Sequence, residues 1–165
     1  MKKLLCLILV VATIFISSFA WATAGVCTQG SVARFGNNMQ ELVFTCTAGS
    51  TDHLFPTGGT AVTNAVNTSA ISGAYITEVM VSPGGTAPTE ATVVAINTAD
   101  SPAWDVLGGV GVCSATITKR FGAAALTLPV GGNVAKTIDG PLTMAISSNL
   151  VNSAIVIIKI IMWKN

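Results

Sequence analysis

The chain has one histidine, His53, and it stands beside Asp52. A histidine oriented by a carboxylate, with a serine brought close, is the outline of a nucleophilic site, because the imidazole takes the hydroxyl proton. No G-x-S-x-G elbow accompanies it, so the sequence singles out no serine. Glycoside hydrolysis needs two carboxyl groups facing each other across a cleft. The acids Glu41, Asp52, Glu78, Glu90, Asp100, Asp105 and Asp139 are instead scattered singly. Asp100 and Asp105 flank Pro102 and Trp104 in one loop. Carboxylates and carbonyls could hold calcium there, and an exposed tryptophan beside acids could be a sugar-stacking platform. The plainer reading is a core tryptophan with solvated acids next to it. Gly108-Gly109-Val110-Gly111 lacks the lysine of a phosphate loop and no helical pattern follows, which fits a bulge or a tight sheet corner. Asn67-Thr68-Ser69 matches a glycosylation acceptor, relevant only in a eukaryotic secretory pathway. No catalytic residue, metal site or cofactor is expected.

The start of the chain sets the compartment. Lys2 and Lys3 form a positive end, Leu4–Phe19 is almost wholly apolar, and Ala20-Trp21-Ala22 is a small-x-small site. These are the three parts of a secretory signal peptide, with cleavage expected after Ala22. Lipidation fits poorly, because Val26 precedes Cys27 and Ala24 stands where a leucine-like residue belongs. A retained anchor is the alternative, since Leu4–Ala22 approaches the ~20 residues that span a bilayer. Residues 1–22 are therefore a signal or anchor helix, and residues 23–165 one domain. A secreted location follows (periplasmic, cell-surface or extracellular), with membrane contact only if the segment is kept.

Export permits disulfides. Past residue 22 the cysteines are Cys27, Cys46 and Cys113. Cys27 with Cys46 is the preferred pair, because both flank a hairpin pattern, and closing that loop would stabilise by roughly 3 kcal/mol. Three buried free thiols are the alternative. No C-x-x-C is present, so zinc is not indicated.

Only 9% of the residues are charged, against 51% hydrophobic. Without Lys2 and Lys3 the acids slightly outnumber the bases, and no basic patch exists to neutralise phosphates, so nucleic acid is not an expected partner. A surface with so little charge tends to be covered by something.

Behind these residues lies a β pattern. Period-two runs between turn residues recur every 8 to 15 positions. Met39–Thr47 places Leu42, Phe44 and Cys46 on one face. Residues 48–60 read as a loop, and Ala61–Ile71 as a weak edge strand or ordered loop. Ala74–Ser82 places Tyr75, Thr77, Val79 and Val81 together, opposite Ile76, Glu78 and Met80. Thr89–Asn97, Val112–Phe121, Leu126–Val130 and Leu142–Ser147 follow, the last with Leu142, Met144 and Ile146 inward. The closing strand, Ala154–Lys164, carries Val156, Ile158 and Ile160 on one face and Ile155, Ile157, Ile161 and Trp163 on the other, where only Lys159 is charged. A strand with one wet face should be polar there. Either loops of the same chain cover that second face, or another subunit does, since a bare apolar strand invites aggregation. The expected fold is all-β, an antiparallel sandwich of jelly-roll type.

The segments Pro83-Gly84-Gly85-Thr86-Ala87-Pro88-Thr89, Asp105-Val106-Leu107-Gly108-Gly109, Gly140-Pro141-Leu142-Thr143 and Asn152-Ser153-Ala154 resemble small β-sandwich structural proteins of phage and prophage. The resemblance covers about residues 75–165. It implies a non-enzymatic assembly or decoration role, with no family active site to carry over. The export signal departs from that family and turns the expectation toward a bacterial surface or extracellular assembly on a similar fold. The sequence thus points to a secreted structural protein that self-associates or docks on another structural protein. The alternative is an extracellular carbohydrate- or ligand-binding module resting on Trp104, Asp100 and Asp105. Intact-mass measurement on protein from the native host should give a chain beginning at Thr23; a mass that retains residues 1–22 would make it an anchored protein.

Overall fold

Strand β12 (Ile155–Trp163) is paired along both edges, and the larger sheet is organised around it. Its inward residues Val156, Ile158, Ile160 and Met162 are fully buried. Each such side chain removed from water is worth about 1.5–3 kcal/mol. The computed structural model describes residues 24–36, 38–63, 65–99, 103–123, 126–127, 133–134, 137–138 and 140–165. The expected signal or anchor helix over residues 1–22 lies outside them, as does Asp100.

Before β12 come β1 (Val26–Gln29), β2 (Ala33–Phe35), β3 (Met39–Thr47), β4 (Thr60–Ala61), helix α1 (Ala65–Ile71), β5 (Tyr75–Pro83), β6 (Thr92–Thr98), β7 (Val112–Cys113), β8 (Lys119–Gly122), β9 (Leu126–Thr127), β10 (Asn133–Val134) and β11 (Leu142–Ser147). A six-stranded sheet has the order β1-β3-β12-β5-β8, with β2 also on β3, and a four-stranded sheet the order β4-β11-β6-β7. A β9–β10 pair stands apart. All pairings are antiparallel. Both main sheets feed one core, Leu42, Phe44, Val79, Val81 and Ile158 from the larger and Val94, Ile96, Leu142 and Met144 from the smaller. Among the described residues α1 is the only helix and the other elements are strands. With β3, β4, β5, β6, β7, β8, β11 and β12 counted one to eight, the two sheets run 1-8-3-6 and 2-7-4-5.

Three elements depart from the sequence expectation. Ala61–Ile71 is mostly helix rather than strand or loop. Its Asn, Thr and Ser content is poor for an isolated helix, and tertiary bonds supply what propensity lacks. The Asn67 amide donates to Gly30 O (2.9 Å) and Gln29 Oε1 (3.3 Å). Lys164 Nζ donates to the Ser69 and Ala70 carbonyls of the last turn (2.9 and 3.1 Å), where a cation is favoured. At 2% exposure Asn67 is closed to a glycan.

In β5 the faces are not as the alternation implies. Ile76, Val79 and Val81 are all buried, because an extra residue interrupts the pairing with β12 between Glu78 and Ile76. That bulge at Thr77 resets the phase, and the Thr77 hydroxyl donates to Ile161 O (3.0 Å). Val112–Phe121 is two strands in different sheets, β7 and β8. The chain changes sheets at residues 114–118, where the Glu90 carboxylate accepts Ala115 N–H (2.7 Å) and Ser114 Oγ–H (3.1 Å) and sits 3.8 Å from Lys119 Nζ. The Ala115 N–H contributes most to holding the Glu90 pKa below its ordinary value. In β11, Leu142 and Met144 are buried as expected, while Ile146 is half-buried.

At one end of the molecule a single amide ties three loops together. Asn149, 5% exposed, donates to His53 O and Val151 O (2.8 Å each) and accepts from Thr89 N–H (3.2 Å) and Val151 N–H (3.3 Å). Asn149→Ala leaves these backbone groups without their partner and should lower the unfolding free energy by about 2–3 kcal/mol. Urea denaturation followed by circular dichroism measures it.

Candidate interaction face

The pleat sends alternate residues of each strand to opposite faces, and directly paired residues share a face. The registers therefore fix the outer face of the six-stranded sheet. One row crosses it as Thr28–Thr45–Ile157–Ser82, the next as Val43–Lys159–Met80–Arg120. Then come Ala33–Glu41–Ile161–Glu78–Gly122 and, at the far end, Phe35–Met39–Trp163–Tyr75. Val26–Thr47–Ile155 closes the near end. Phe35 and Trp163 remain 54% and 42% exposed, and Val26 55%.

The expected face residues Ile155, Ile157, Ile161 and Trp163 are thus brought onto one surface. The three isoleucines are half-buried by their neighbours in the sheet. Ile155 lies against Gly84, where any added Cβ would collide with it. Sequence reading missed Phe35, Met39, Tyr75, Val43 and Met80 as members of this face. Their alternation was visible, but only the register places them beside β12.

The charges on this face are matched within the sheet. Arg120 holds Glu78 through Nη1 to both carboxylate oxygens (2.9 and 3.2 Å), and Lys159 Nζ lies 3.7 Å from Glu41 Oε1. What is left is aliphatic, aromatic and threonine surface.

Cys27 and Cys46 are directly opposed in the β1–β3 pair and form a disulfide, with Cα atoms 3.9 Å apart. The expected pairing holds, and it clamps the N-terminal edge strand to the sheet. Cys113 is free and buried. Desolvation pushes its thiol up to about 11, with the nearby Glu90 charge acting in the same direction.

The other sequence candidates take up structural positions. Asp105 Oδ1 accepts Leu107 N–H (3.0 Å) and Oδ2 accepts Gly109 N–H (2.6 Å), so this carboxylate closes its own turn, with Gly108 and Gly109 at positive φ. Trp104 is half-buried and packs against the core, with its backbone N–H on Thr98 Oγ1 (3.0 Å). Asp100 lies outside the described residues. Asp52 Oδ1 accepts Leu54 N–H (3.2 Å). His53, at φ 51°, lines a cleft of about 380 Å³ with Phe55, Pro56, Ile146, Ser148 and Asn149. Among the described residues no group of three or more His, Cys, Asp or Glu gathers to hold a metal ion, and no helix is long and apolar enough to cross a membrane.

Comparison with protein-family models, with curated proteins and with solved structures finds no match. The geometry of the chain itself therefore carries the functional reading.

Because the folded state holds Cys113 protonated to higher pH than an unfolded chain would, this group's stabilising contribution should be complete at neutral pH and decline as pH rises toward 11. At pH 8 iodoacetamide should leave Cys113 unmodified in the native protein and alkylate it once the protein is unfolded. Peptide mapping reads both results.

Proposed function

We propose that this chain is an exported, non-catalytic structural protein whose outer sheet face is a docking surface in a larger assembly. The observation that carries this reading is the face around β12, where apolar and threonine side chains surround charges already paired within the sheet. Covering such a surface gains from the burial of Ile157, Ile161 and Trp163, and the pairing of its charges within the sheet offsets part of their desolvation cost. Two features support the surrounding picture. The strand order 1-8-3-6 and 2-7-4-5 supports the jelly-roll reading of the sandwich, an architecture used in viral capsid and lectin domains. The Cys27–Cys46 disulfide accords with an oxidising compartment. The resemblance to phage-type structural sandwiches points the same way.

A second reading, a ligand-binding module, draws on a different feature, the apolar cleft between residues 53–59 and the end of β11. Its volume falls in the ordinary range for small-molecule sites. The Trp104 loop lends that reading less, because the Asp105 carboxylate serves its own turn.

Two substitutions on adjacent residues test the assembly reading. Ile157→Lys should leave the melting temperature within a few degrees of the parent and reduce the assembled mass in light scattering. Ile158→Lys should unfold the protein, because an unpaired charge would enter the core. If Ile157→Lys unfolds it as badly, both faces of β12 are internal and the docking reading fails.

A further inference from the structure

Resting on the reading of this face as a docking surface, we infer that its occupant is a second copy of the same chain, placed face to face about a two-fold axis that runs across the strands. The charge layout carries the inference. Both acids of the face, Glu41 and Glu78, lie in the row Ala33–Glu41–Ile161–Glu78–Gly122. Both bases, Lys159 and Arg120, lie in the adjacent row Val43–Lys159–Met80–Arg120. A two-fold axis in the plane of the face, midway between these rows, exchanges them and keeps each strand in its own column.

The partner's Glu78 then arrives over Met80, flanked by Lys159 on one side and Arg120 on the other. The partner's Lys159 arrives over Ile161, flanked by Glu41 and Glu78. The partner's Glu41 lands over Val43 beside Lys159, and the partner's Arg120 over Gly122 beside Glu78. Each incoming charge thus meets an uncharged residue with opposite charges next to it, and no like charges are opposed. The same operation lays the partner's Trp163 over Ile157. A surface complementary to itself is what an isologous interface requires, and alternate charges of this kind set register and orientation more than raw affinity.

The dimensions suit a weak, reversible pairing. The operation overlaps four of the five rows and leaves Val26–Thr47–Ile155 outside, so the contact spans roughly 20 Å by 24 Å, about 480 Å² a side. A pair would cover about 960 Å², just under the range of about 1,200–2,000 Å² for stable interfaces, in the size class of transient ones. The strands of the two copies would run aligned, as in the common packing of sheet on sheet. Arg120 and Lys159 keep 63% and 39% of their side-chain surface exposed, so both can turn toward a partner.

The test is charge reversal with complementation. The full chain, exported to an oxidising compartment and purified, should sediment as a dimer at about 100 µM. Glu41→Lys with Glu78→Lys makes the face wholly basic, and Lys159→Glu with Arg120→Glu makes it wholly acidic. Each double variant should sediment at half the parent mass with its circular dichroism unchanged, and an equimolar mixture of the two should recover the dimer. Ile161→Thr leaves every charge and the core in place and should raise the dissociation constant at least tenfold, which covers the case of a double variant that fails to fold. A monomeric parent overturns the inference, as do double variants that stay dimeric or a mixture that stays monomeric. If Ile157→Lys still weakens a larger assembly while charge reversal changes nothing, the face docks on a different protein: the docking reading stands and the two-fold pairing falls.

Discussion

A central strand that is apolar on both faces constrains everything around it. Strand β12 pairs with β3 on one edge and β5 on the other, and at its start Ile155 N–H bonds Thr86 O (2.7 Å) beyond the end of β5. Its two rows of side chains then need two separate solutions. The inner row, Val156, Ile158, Ile160 and Met162, is closed by the four-stranded sheet. The outer row is only partly buried, flanked within the sheet by Thr45 and Ser82 at Ile157, Glu41 and Glu78 at Ile161, and Met39 and Tyr75 at Trp163.

The rest of the larger sheet supports that centre. The Cys27–Cys46 bond fixes the edge strand β1 to β3, and β2 pairs further along the same strand. Edge strands are where sheets recruit unwanted partners, and the disulfide holds this one in place. At one end of the molecule Asn149 joins the loops at residues 53, 89 and 151, while Glu90 steadies the crossover from one sheet to the other. These polar groups hold loops. The bonds of the Asn149 amide to His53, Thr89 and Val151, and the Glu90 bond to Ala115 N–H, end on backbone atoms of neighbouring turns, the pattern of groups that satisfy buried peptides.

Much of the fold was legible in the residues. Period-two alternation located β3, β6, β11 and β12 and the inward faces of β3 and β12, because burial of one face repeats with the pleat. The Cys27–Cys46 pair was legible from its place on either side of a hairpin pattern. Three things were not. Helix α1 forms from residues with little helical preference because Asn67 and Lys164 bond to and from distant segments. The bulge at Thr77 shifts β5 by one residue, and it shows only in the register with β12. The division of Val112–Phe121 between two sheets follows from where its two halves find partners.

The sequence by itself determined the β class and the two-faced character of the last strand, because each depends on residue type and local period, and it made Cys27–Cys46 the preferred pair, which the structure decided. Tertiary structure alone decided which residues share the outer face. Phe35, Met39, Trp163 and Tyr75 come from four separate strands, and they form one row only through the registers of β2, β3, β12 and β5. The same holds for the placement of Glu41 and Glu78 in one row and Lys159 and Arg120 in the next. Register is a property of paired strands, set when hydrogen bonding and burial are satisfied together.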